Sequence, residues 1–322
     1  MLAYLNRKMI EPQIITIENH LSLEDSIWID LFSPSKAEEE KVEQYIGRNI
    51  PTRAEMVEIE FSSRLYKEND AIIMTAMMLA QSDSPDPKLD PVTFVLTQKQ
   101  LITIRYIESQ SFKLFISKVK HVDFTHRDAV TLLIELLDAT VDRLADILEL
   151  VAGRLDNYSK TIFRPENNTT EKLNYQQLMQ QIGANGDLNT KARESLLTFN
   201  RLISFFGQTA QSRIDKEGKL RLATLSTDVV SLSDHANFLS TKINFLLDAT
   251  LGMVNIEQNN IIKIFSVAAV IFLPPTLVAS IYGMNFHFMP ELSWKYGYLL
   301  SIGLILTAAW LPYKYFKHRK WL

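Results

Sequence analysis

Small and polar side chains recur along one side of an uncharged run near the C-terminal end of the chain. They follow one another at steps of three, four or seven residues, which is the spacing of one helical face: Asn259, Ser266, Ala269, Thr276, Ser280 and Gly283. The remaining faces carry bulky apolar residues such as Ile264, Ile271 and Ile281. The pattern predicts a helix with one wettable side. Two interpretations fit it, close packing of small residues against another helix or the lining of a water-filled path.

Asn259 favours the water-filled path, because an amide at the edge of a hydrocarbon layer must face protein or water. Ile262 and Leu273 fall on the same face. We expect each to form an apolar constriction that closes the path when water leaves it. Pro274 and Pro275 remove two backbone donors and are expected to loosen or bend the helix. Seven positions are therefore predicted to line a pore: Asn259, Ile262, Ser266, Ala269, Leu273, Thr276 and Ser280.

The helix that must position these residues has the composition of a membrane span. Residues 264–286 contain no Asp, Glu, Lys, Arg or His, and at about 1.5 Å per residue they reach across a hydrocarbon layer roughly 30 Å thick. A second uncharged run, residues 296–313, lies between Lys295 and Lys314 and is flanked by Trp and Tyr. Two buried helices of a soluble core are the alternative, which the basic tail directly after the second run disfavours.

The basic residues predict the orientation of the two spans. Four of them follow the second run: Lys314, Lys317, Arg319 and Lys320. The connecting loop carries only Lys295 against Glu291, so the tail is expected in the cytoplasm and the loop outside. Two crossings return the chain to its starting side, and nothing at Met1 resembles a signal peptide. Both termini are therefore expected to be cytoplasmic. Two spans cannot enclose a pore alone, which predicts a closed cyclic homo-oligomer.

Charge and composition limit the possible functions. The 322 residues carry a net charge of −3, and residues 261–322 hold six Lys or Arg against one Glu, so the first 260 residues carry −8. This acidic excess disfavours nucleic acid as a partner and favours divalent cations. The chain has no cysteine, which excludes disulfides and thiolate metal sites. It contains no phosphate-binding loop motif and no catalytic constellation, so neither an enzyme nor an organic cofactor is expected.

Residues 1–126 are predicted to form an α/β cytoplasmic domain. Alternating apolar residues at 26–32 indicate a strand, and Ser35 with Glu38 is a capping box that opens a helix which Gly47 can close. The pair of apolar runs at 92–97 and 101–106 indicates a hairpin, so a mixed sheet is expected.

Helical periodicity dominates from residue 127 onward. Residues 127–218 are predicted to form a cytoplasmic helical hairpin region whose second helix is interrupted between Gly183 and Gly186. Residues 219–260 are predicted to form a stalk helix, because apolar residues recur there at steps of three and four without a slip. No proline occurs between Lys219 and Leu273, so this helix is expected to continue to Tyr282 over about 95 Å. The remaining division is a first span at 261–286, an outer loop at 287–295, a second span at 296–316 and a basic tail at 317–322.

The residues at the outer end of the first span resemble a known motif. Gly283-Met284-Asn285 is followed by Met289-Pro290-Glu291-Leu292, and the chain ends in Lys320-Trp321-Leu322. This arrangement resembles the CorA family of magnesium transporters, in its form from enteric-type bacteria. Further matching segments are Trp28-Ile29-Asp30-Leu31, Asn255-Ile256-Glu257-Gln258-Asn259 and Phe272-Leu273-Pro274-Pro275.

The resemblance implies an α+β fold of a multi-pass α-helical membrane protein, with a mixed α/β cytoplasmic domain, a long helical stalk and two C-terminal transmembrane helices. It implies a homopentamer in the bacterial inner membrane with its pore on the five-fold axis. Asn285 would present side-chain carbonyl oxygens to hydrated Mg²⁺, which prefers oxygen ligands and dehydrates reluctantly. Gly283 would let the chain turn closely and Met284 would brace that turn. The implied function is channel-like Mg²⁺ import driven by the membrane potential, with passage of Co²⁺ and Ni²⁺ and closure by cytosolic Mg²⁺.

One residue departs from the family pattern, and one set of sites is not identified by the resemblance. His287 stands where an acid often follows the motif, which would reduce the negative potential at the mouth and make it pH-sensitive. The acids that would bind regulatory Mg²⁺ do not align, and Asp228 and Asp234 on the stalk are the candidates. Two alternatives remain, a zinc transporter of the related ZntB type, which Met284 disfavours, and a membrane-anchored scaffold.

Overall fold

The structure is a computed structural model of the chain. The structure describes residues 2–6, 13–15, 26–58, 60–121, 128–164, 174–284, 287, 289–290, 294–319 and 321. The chain divides into two units, Met1–Leu247 and Asp248–Leu322.

Seven strands form one sheet in the first unit. They are β1 (Leu2–Asn6), β2 (Gln13–Ile15), β3 (Ser26–Phe32), β4 (Leu65–Glu68), β5 (Ala71–Ala80), β6 (Lys88–Leu96) and β7 (Leu101–Arg105). Their order across the sheet is β2-β1-β3-β7-β6-β5-β4. β3 and β7 run parallel, and the other neighbouring pairs are antiparallel. The prediction of a mixed sheet containing the hairpin β6–β7 is confirmed.

Helices cover both faces of this sheet because its central strands are apolar on both sides. β7 is buried at every position, and β5 at every position except Met77. On one face, Val42 of α1 (Lys36–Ile46) and Met56 of α2 (Arg53–Val57) join the core formed by strand residues. On the other face, Phe115 of α4 (Gln110–His121) lies edge-on to Trp28 with 5.4 Å between ring centroids. A short α3 (Phe61–Arg64) leads into β4.

The predicted start and end of α1 are confirmed. The Ser35 side chain accepts a hydrogen bond from the Glu38 backbone N–H, and the Glu38 carboxylate accepts one from the Ser35 N–H at 2.8 Å. Gly47 ends the helix with φ of 69°, a left-handed conformation in which glycine carries no steric cost.

One buried ion pair joins β3 to β7. Arg105 Nη2 donates to Asp30 Oδ2 at 2.7 Å, and its Nε donates to Oδ1 at 3.1 Å. Thr103 donates to the same Oδ1 at 2.7 Å and accepts from Trp28 Nε1 at 3.0 Å. The Arg105 guanidinium also lies 4.5 Å from the Phe112 ring centroid. Residues about 75 positions apart therefore satisfy one another in the interior.

Two long helices follow the sheet, α5 (Ala129–Phe163) and α6 (Tyr175–Thr209). The predicted interruption between Gly183 and Gly186 is wrong, because α6 continues through both glycines. A Cβ at Gly186 would lie 3.4 Å from the Ile243 side chain of α7, which is close to an ordinary van der Waals contact. Packing of apolar residues such as Ile182 and Leu196, both fully buried, outweighs the helix cost of about 1 kcal/mol per glycine.

The predicted stalk helix is α7, which runs without a break over the 67 residues Lys216–Tyr282. Its apolar seam packs in the first unit through seven residues that are at most 7% exposed: Leu222, Leu225, Val229, Ala236, Leu239, Ile243 and Leu246. Asn189 of α6 adds polar contacts to α7, because its Nδ2 donates to the Ala236 carbonyl at 3.0 Å and to Ser240 Oγ at 2.9 Å. The prediction of one long helix that includes Pro274 and Pro275 is confirmed.

The last helix, α8, spans Gly297–His318. Among the described residues, α7 and α8 are long and apolar enough to cross a membrane. The α+β class, with one long helix and two C-terminal helices of membrane-spanning composition, is therefore confirmed.

Candidate functional site

The seven residues predicted to line a pore all lie in the C-terminal half of α7 and are exposed in the single chain: Asn259, Ile262, Ser266, Ala269, Leu273, Thr276 and Ser280. The helix is regular from the first of these positions to the last, so their spacing places them along one side. The structure therefore brings them into one stripe, as the sequence pattern predicts.

Two hydroxyl groups in this stripe bond back to their own helix. Ser266 Oγ donates to the Ile262 carbonyl at 2.8 Å, and Thr276 Oγ1 donates to the Phe272 carbonyl at 2.7 Å. Each hydroxyl hydrogen is thereby used, and the oxygen keeps its lone pairs for an outside donor. Water molecules around a cation point their hydrogens outward. Oxygen acceptors held in this way suit a hydrated cation better than they suit an anion.

Two bulky apolar residues interrupt the polar stripe. Ile262 is 61% exposed and Leu273 is 65% exposed, and they lie 11 residues apart along the run. The carbonyls one turn before Pro274 and Pro275 lose their ordinary backbone donors, because proline has no N–H. The helix nevertheless continues through Pro274 and Pro275, so the expected loosening does not break it.

Gly283 directly follows the last residue of α7 in a turn where a side chain would fit only tightly. Its N–H donates to the Ala279 carbonyl at 2.9 Å, and an added Cβ would lie 3.2 Å from the same oxygen. Met284 follows with 47% of its side chain exposed, and His287 is also exposed. Asn285 and Glu291, which the sequence places in the motif and the outer loop, lie outside the described residues.

The second unit exposes large apolar side chains on both candidate spans. Phe265 and Phe272 on α7 are 71% and 69% exposed, and Leu299 on α8 is 70% exposed. Burying such side chains contributes about 1.5–3 kcal/mol each. Exposed faces of this length require lipid or neighbouring chains to cover them.

The regulatory candidates Asp228 and Asp234 are both exposed on α7. Within the described ranges, no three His, Asp or Glu side chains form a group that could hold a metal ion. Asp228 nevertheless belongs to an acidic neighbourhood. Partial burial, together with the charges of Asp138, Asp146 and Asp228, raises the pKa of Asp142, while Lys118 opposes the shift.

An acidic row on α5 was not among the sites predicted from the sequence. Asp138, Asp142 and Asp146 lie four residues apart, and that spacing alone places them on one helical face. The spacing of these residues along the chain does not predict that they approach Asp228 of α7, because that approach depends on how α5 and α7 pack.

The chain matches the family described as CorA-like Mg2+ transporter protein over residues 24–318. It is similar to the magnesium transport protein CorA of Pasteurella multocida, with 33% identity over 314 residues, 97% of this chain and 98% of the relative. It is also similar to the magnesium transport protein CorA of Salmonella typhimurium, with 34% identity over 309 residues and 96% of each chain covered.

Solved structures show the same fold. The CorA magnesium transporter from Methanocaldococcus jannaschii superposes with a TM-score of 0.74 at 19% identity, covering 100% of this chain and 98% of that one. The ZntB cytoplasmic domain from Vibrio parahaemolyticus superposes with a TM-score of 0.54 at 9% identity, covering 79% of this chain and 98% of that domain. At such identities the likeness concerns the fold.

Proposed function

The chain belongs to the CorA-like Mg2+ transporter family, and from that premise we propose that it is a channel-like importer of Mg²⁺. The observation that carries the proposal is the exposed polar stripe of α7, which leads to the turn at Gly283, the first residue of the motif. Mg²⁺ is here the transported substrate.

We propose a homopentamer in which α7 of each chain faces a central axis. In this arrangement the stripe from Asn259 to Ser280 would line a water-filled pore. Lipid or neighbouring helices would cover the apolar faces. The bilayer and divalent cations are then the partners, and nucleic acid is not.

Selection of the ion is assigned to the motif Gly283, Met284 and Asn285. A ring of neutral amides from Asn285 would accept hydrogen bonds from the water shell of Mg²⁺ without the strong attraction of carboxylates. Gly283 would serve this ring by letting the chain turn tightly after the helix. His287 and Glu291 in the outer loop would modulate the potential at the mouth.

Closure of the pathway is assigned to Ile262 and Leu273. Rings of branched apolar side chains exclude water when they approach one another, and an ion cannot pass a dry constriction without losing its hydration. Below each constriction, acceptors such as Asn259 and Ser266 would stabilise the hydrated ion.

Entry needs no nucleotide hydrolysis in this proposal. A membrane potential of about 100 mV gives a divalent ion roughly 4.6 kcal/mol on entering the cell. Co²⁺ and Ni²⁺ would pass as well, because they are hydrated divalent ions of similar size. Cytosolic Mg²⁺ would act back on the channel through the stalk acids Asp228 and Asp234, favouring the closed state by population shift.

The division of the chain follows from this topology. Residues 1–126, 127–218 and 219–260 would form the cytoplasmic domain, helical hairpin and stalk. Residues 261–286 and 296–316 would cross the bacterial inner membrane, joined by an outer loop at 287–295. The tail at 317–322 would return to the cytoplasm, where the first residues also lie.

Mg²⁺ uptake by liposomes tests the proposal. Purified chain is reconstituted with an internal Mg²⁺ indicator, and an inside-negative potential is imposed. The parent chain is expected to admit Mg²⁺, and Asn285→Ala is expected to lose most of that uptake. Ser301→Ala on α8, whose hydroxyl bonds back to the Tyr298 carbonyl at 2.8 Å, serves as the matched control and is expected to transport normally.

The alternatives predict other outcomes in the same assay. A zinc transporter of the ZntB type would admit Zn²⁺ in preference to Mg²⁺, and a membrane-anchored scaffold would admit neither. Either result would overturn the proposal. The native mass of the purified assembly tests the pentamer separately, since five chains of 37.0 kDa each are expected.

A further inference from the structure

Among the described residues of the second unit, three cations near the C-terminal end of α8 and one on α7 form a group that we call the basic collar: Lys314, Lys317, Arg319 and Lys263. Each lies over an aromatic ring. Lys314 Nζ is 4.8 Å from the Trp310 centroid and Lys317 Nζ is 5.9 Å from the Tyr313 centroid. The guanidinium of Arg319 lies 5.8 Å from the Tyr315 ring. Aromatic rings therefore hold these charges in place at the end of the spans.

No carboxylate among the residues that the structure describes pairs with the basic collar. In the 75 residues of the second unit, the acidic side chains are Asp248, Glu257 and Glu291. None of the four collar cations forms an ion pair with any residue that the structure describes. A group of like charges without counter-ions favours an anionic ligand.

Apolar surface adjoins the basic collar directly. Leu311 is 62% exposed, Trp310 is 54% exposed and Tyr315 is 57% exposed, all within two turns of the collar cations on α8. A free phosphate would meet the charges but leave this surface in water. A molecule with a phosphate group and an acyl chain would satisfy both.

One aromatic side chain links the tail to α7. Trp321 stacks on Phe316 with 5.5 Å between centroids, and Lys263 Nζ of α7 lies 5.6 Å from the Trp321 ring. Lys263 stands one turn beyond Asn259, the innermost residue of the proposed pathway. A ligand that binds the basic collar therefore contacts the inner end of α7 as well as the tail.

We propose that the basic collar is a binding site for the headgroup of an anionic phospholipid, and that its occupancy stabilises the assembled membrane unit. The membrane setting rests on the proposed function, but lipid binding does not depend on transport. Each collar cation near the membrane surface should contribute about fivefold to the apparent affinity.

The test uses the purified full chain in neutral detergent. Native mass spectrometry counts bound phosphatidylglycerol against phosphatidylcholine of equal chain length, and thermal unfolding is recorded with each lipid. The parent chain is expected to retain phosphatidylglycerol selectively and to unfold at a higher temperature in its presence. The triple variant Lys263→Gln, Lys317→Gln and Arg319→Gln is expected to lose that selectivity.

Lys295→Gln is the matched control, because Lys295 lies just before the N-terminal end of α8, whereas the basic collar lies near its C-terminal end. It is expected to retain phosphatidylglycerol as the parent does. Soluble glycerol 3-phosphate tests whether the headgroup alone suffices, and it is expected not to compete at millimolar concentration. The proposal is overturned if both lipids bind equally, if Lys295→Gln loses as much binding as the triple variant, or if glycerol 3-phosphate displaces the lipid.

The two proposals fail separately. If the parent chain shows no lipid selectivity but still takes up Mg²⁺, the basic collar is not a lipid site and the transport proposal stands. Absence of uptake with retained lipid selectivity would remove the transport proposal alone.

Discussion

Replacing Asp30 by Asn removes the negative half of the buried ion pair between β3 and β7. The side chains of Asp30 and Arg105 are only 6% and 9% exposed, so water cannot take the place of the lost charge. An Asn amide in the same position would also point a donor at Arg105 Nη2, which now lies 2.7 Å from Oδ2. Breaking one partner of a buried ion pair costs about 3–5 kcal/mol. At about 2–4 °C per kcal/mol, the unfolding midpoint should fall by roughly 6–20 °C.

Thermal unfolding of the purified full chain, followed by circular dichroism, measures this change. Asp187→Asn is the control, because Asp187 pairs with Lys191 at 2.8 Å while its side chain is 53% exposed. Such surface pairs contribute about 0–1 kcal/mol, so a shift of at most a few degrees is expected. Asp30→Leu with Arg105→Met should recover much of the stability, since it removes both charges. A single variant as stable as the parent, or a double variant no better than the single, would refute the reasoning.

Three further changes have expected outcomes. Leu273→Asn should raise resting Mg²⁺ uptake in liposomes severalfold by wetting a constriction, whereas Ile271→Asn, on the opposite side of α7, should not. Asp142 has a pKa above its ordinary 3.8, so the native state binds more protons and stability falls as pH rises past that value. Asp142→Asn should therefore unfold at a higher temperature than the parent at pH 7, with the gain disappearing below about pH 3.8; an equal gain at both pH values would contradict this account. Leu239→Ala, at a fully buried seam position, should cost about 2–5 kcal/mol in the same unfolding assay, while Leu220→Ala, 71% exposed, should cost little.

Local chemistry explains what could be predicted correctly. The capping box at Ser35 and Glu38 involves residues three apart, and Gly47 needs only its own backbone freedom. The unbroken α7 follows from an apolar repeat without prolines through the stalk. Each of these features depends on neighbours within one or two turns, so spacing along the chain is sufficient information.

The error at Gly183 and Gly186 has the opposite cause. Glycine lowers helix propensity, and the sequence alone indicated a bend between them. The folded chain overrides that preference, because α6 buries an apolar side that includes Ile182 and Leu196. Tertiary packing decided the conformation, and propensity contributed the smaller free energy.

The amino-acid sequence by itself determined the two helices of membrane-spanning composition, the polar stripe of α7 and the motif that begins at Gly283, since charge, helical period and turn chemistry act between near neighbours. Only the tertiary structure decided the strand order, the pairing of Asp30 with Arg105 and the approach of Asp228 to the acids of α5. Those contacts join residues tens of positions apart, and their geometry depends on how sheets and helices pack. The physical reason is that long-range contacts are selected by the free energy of the whole fold, which no local pattern records.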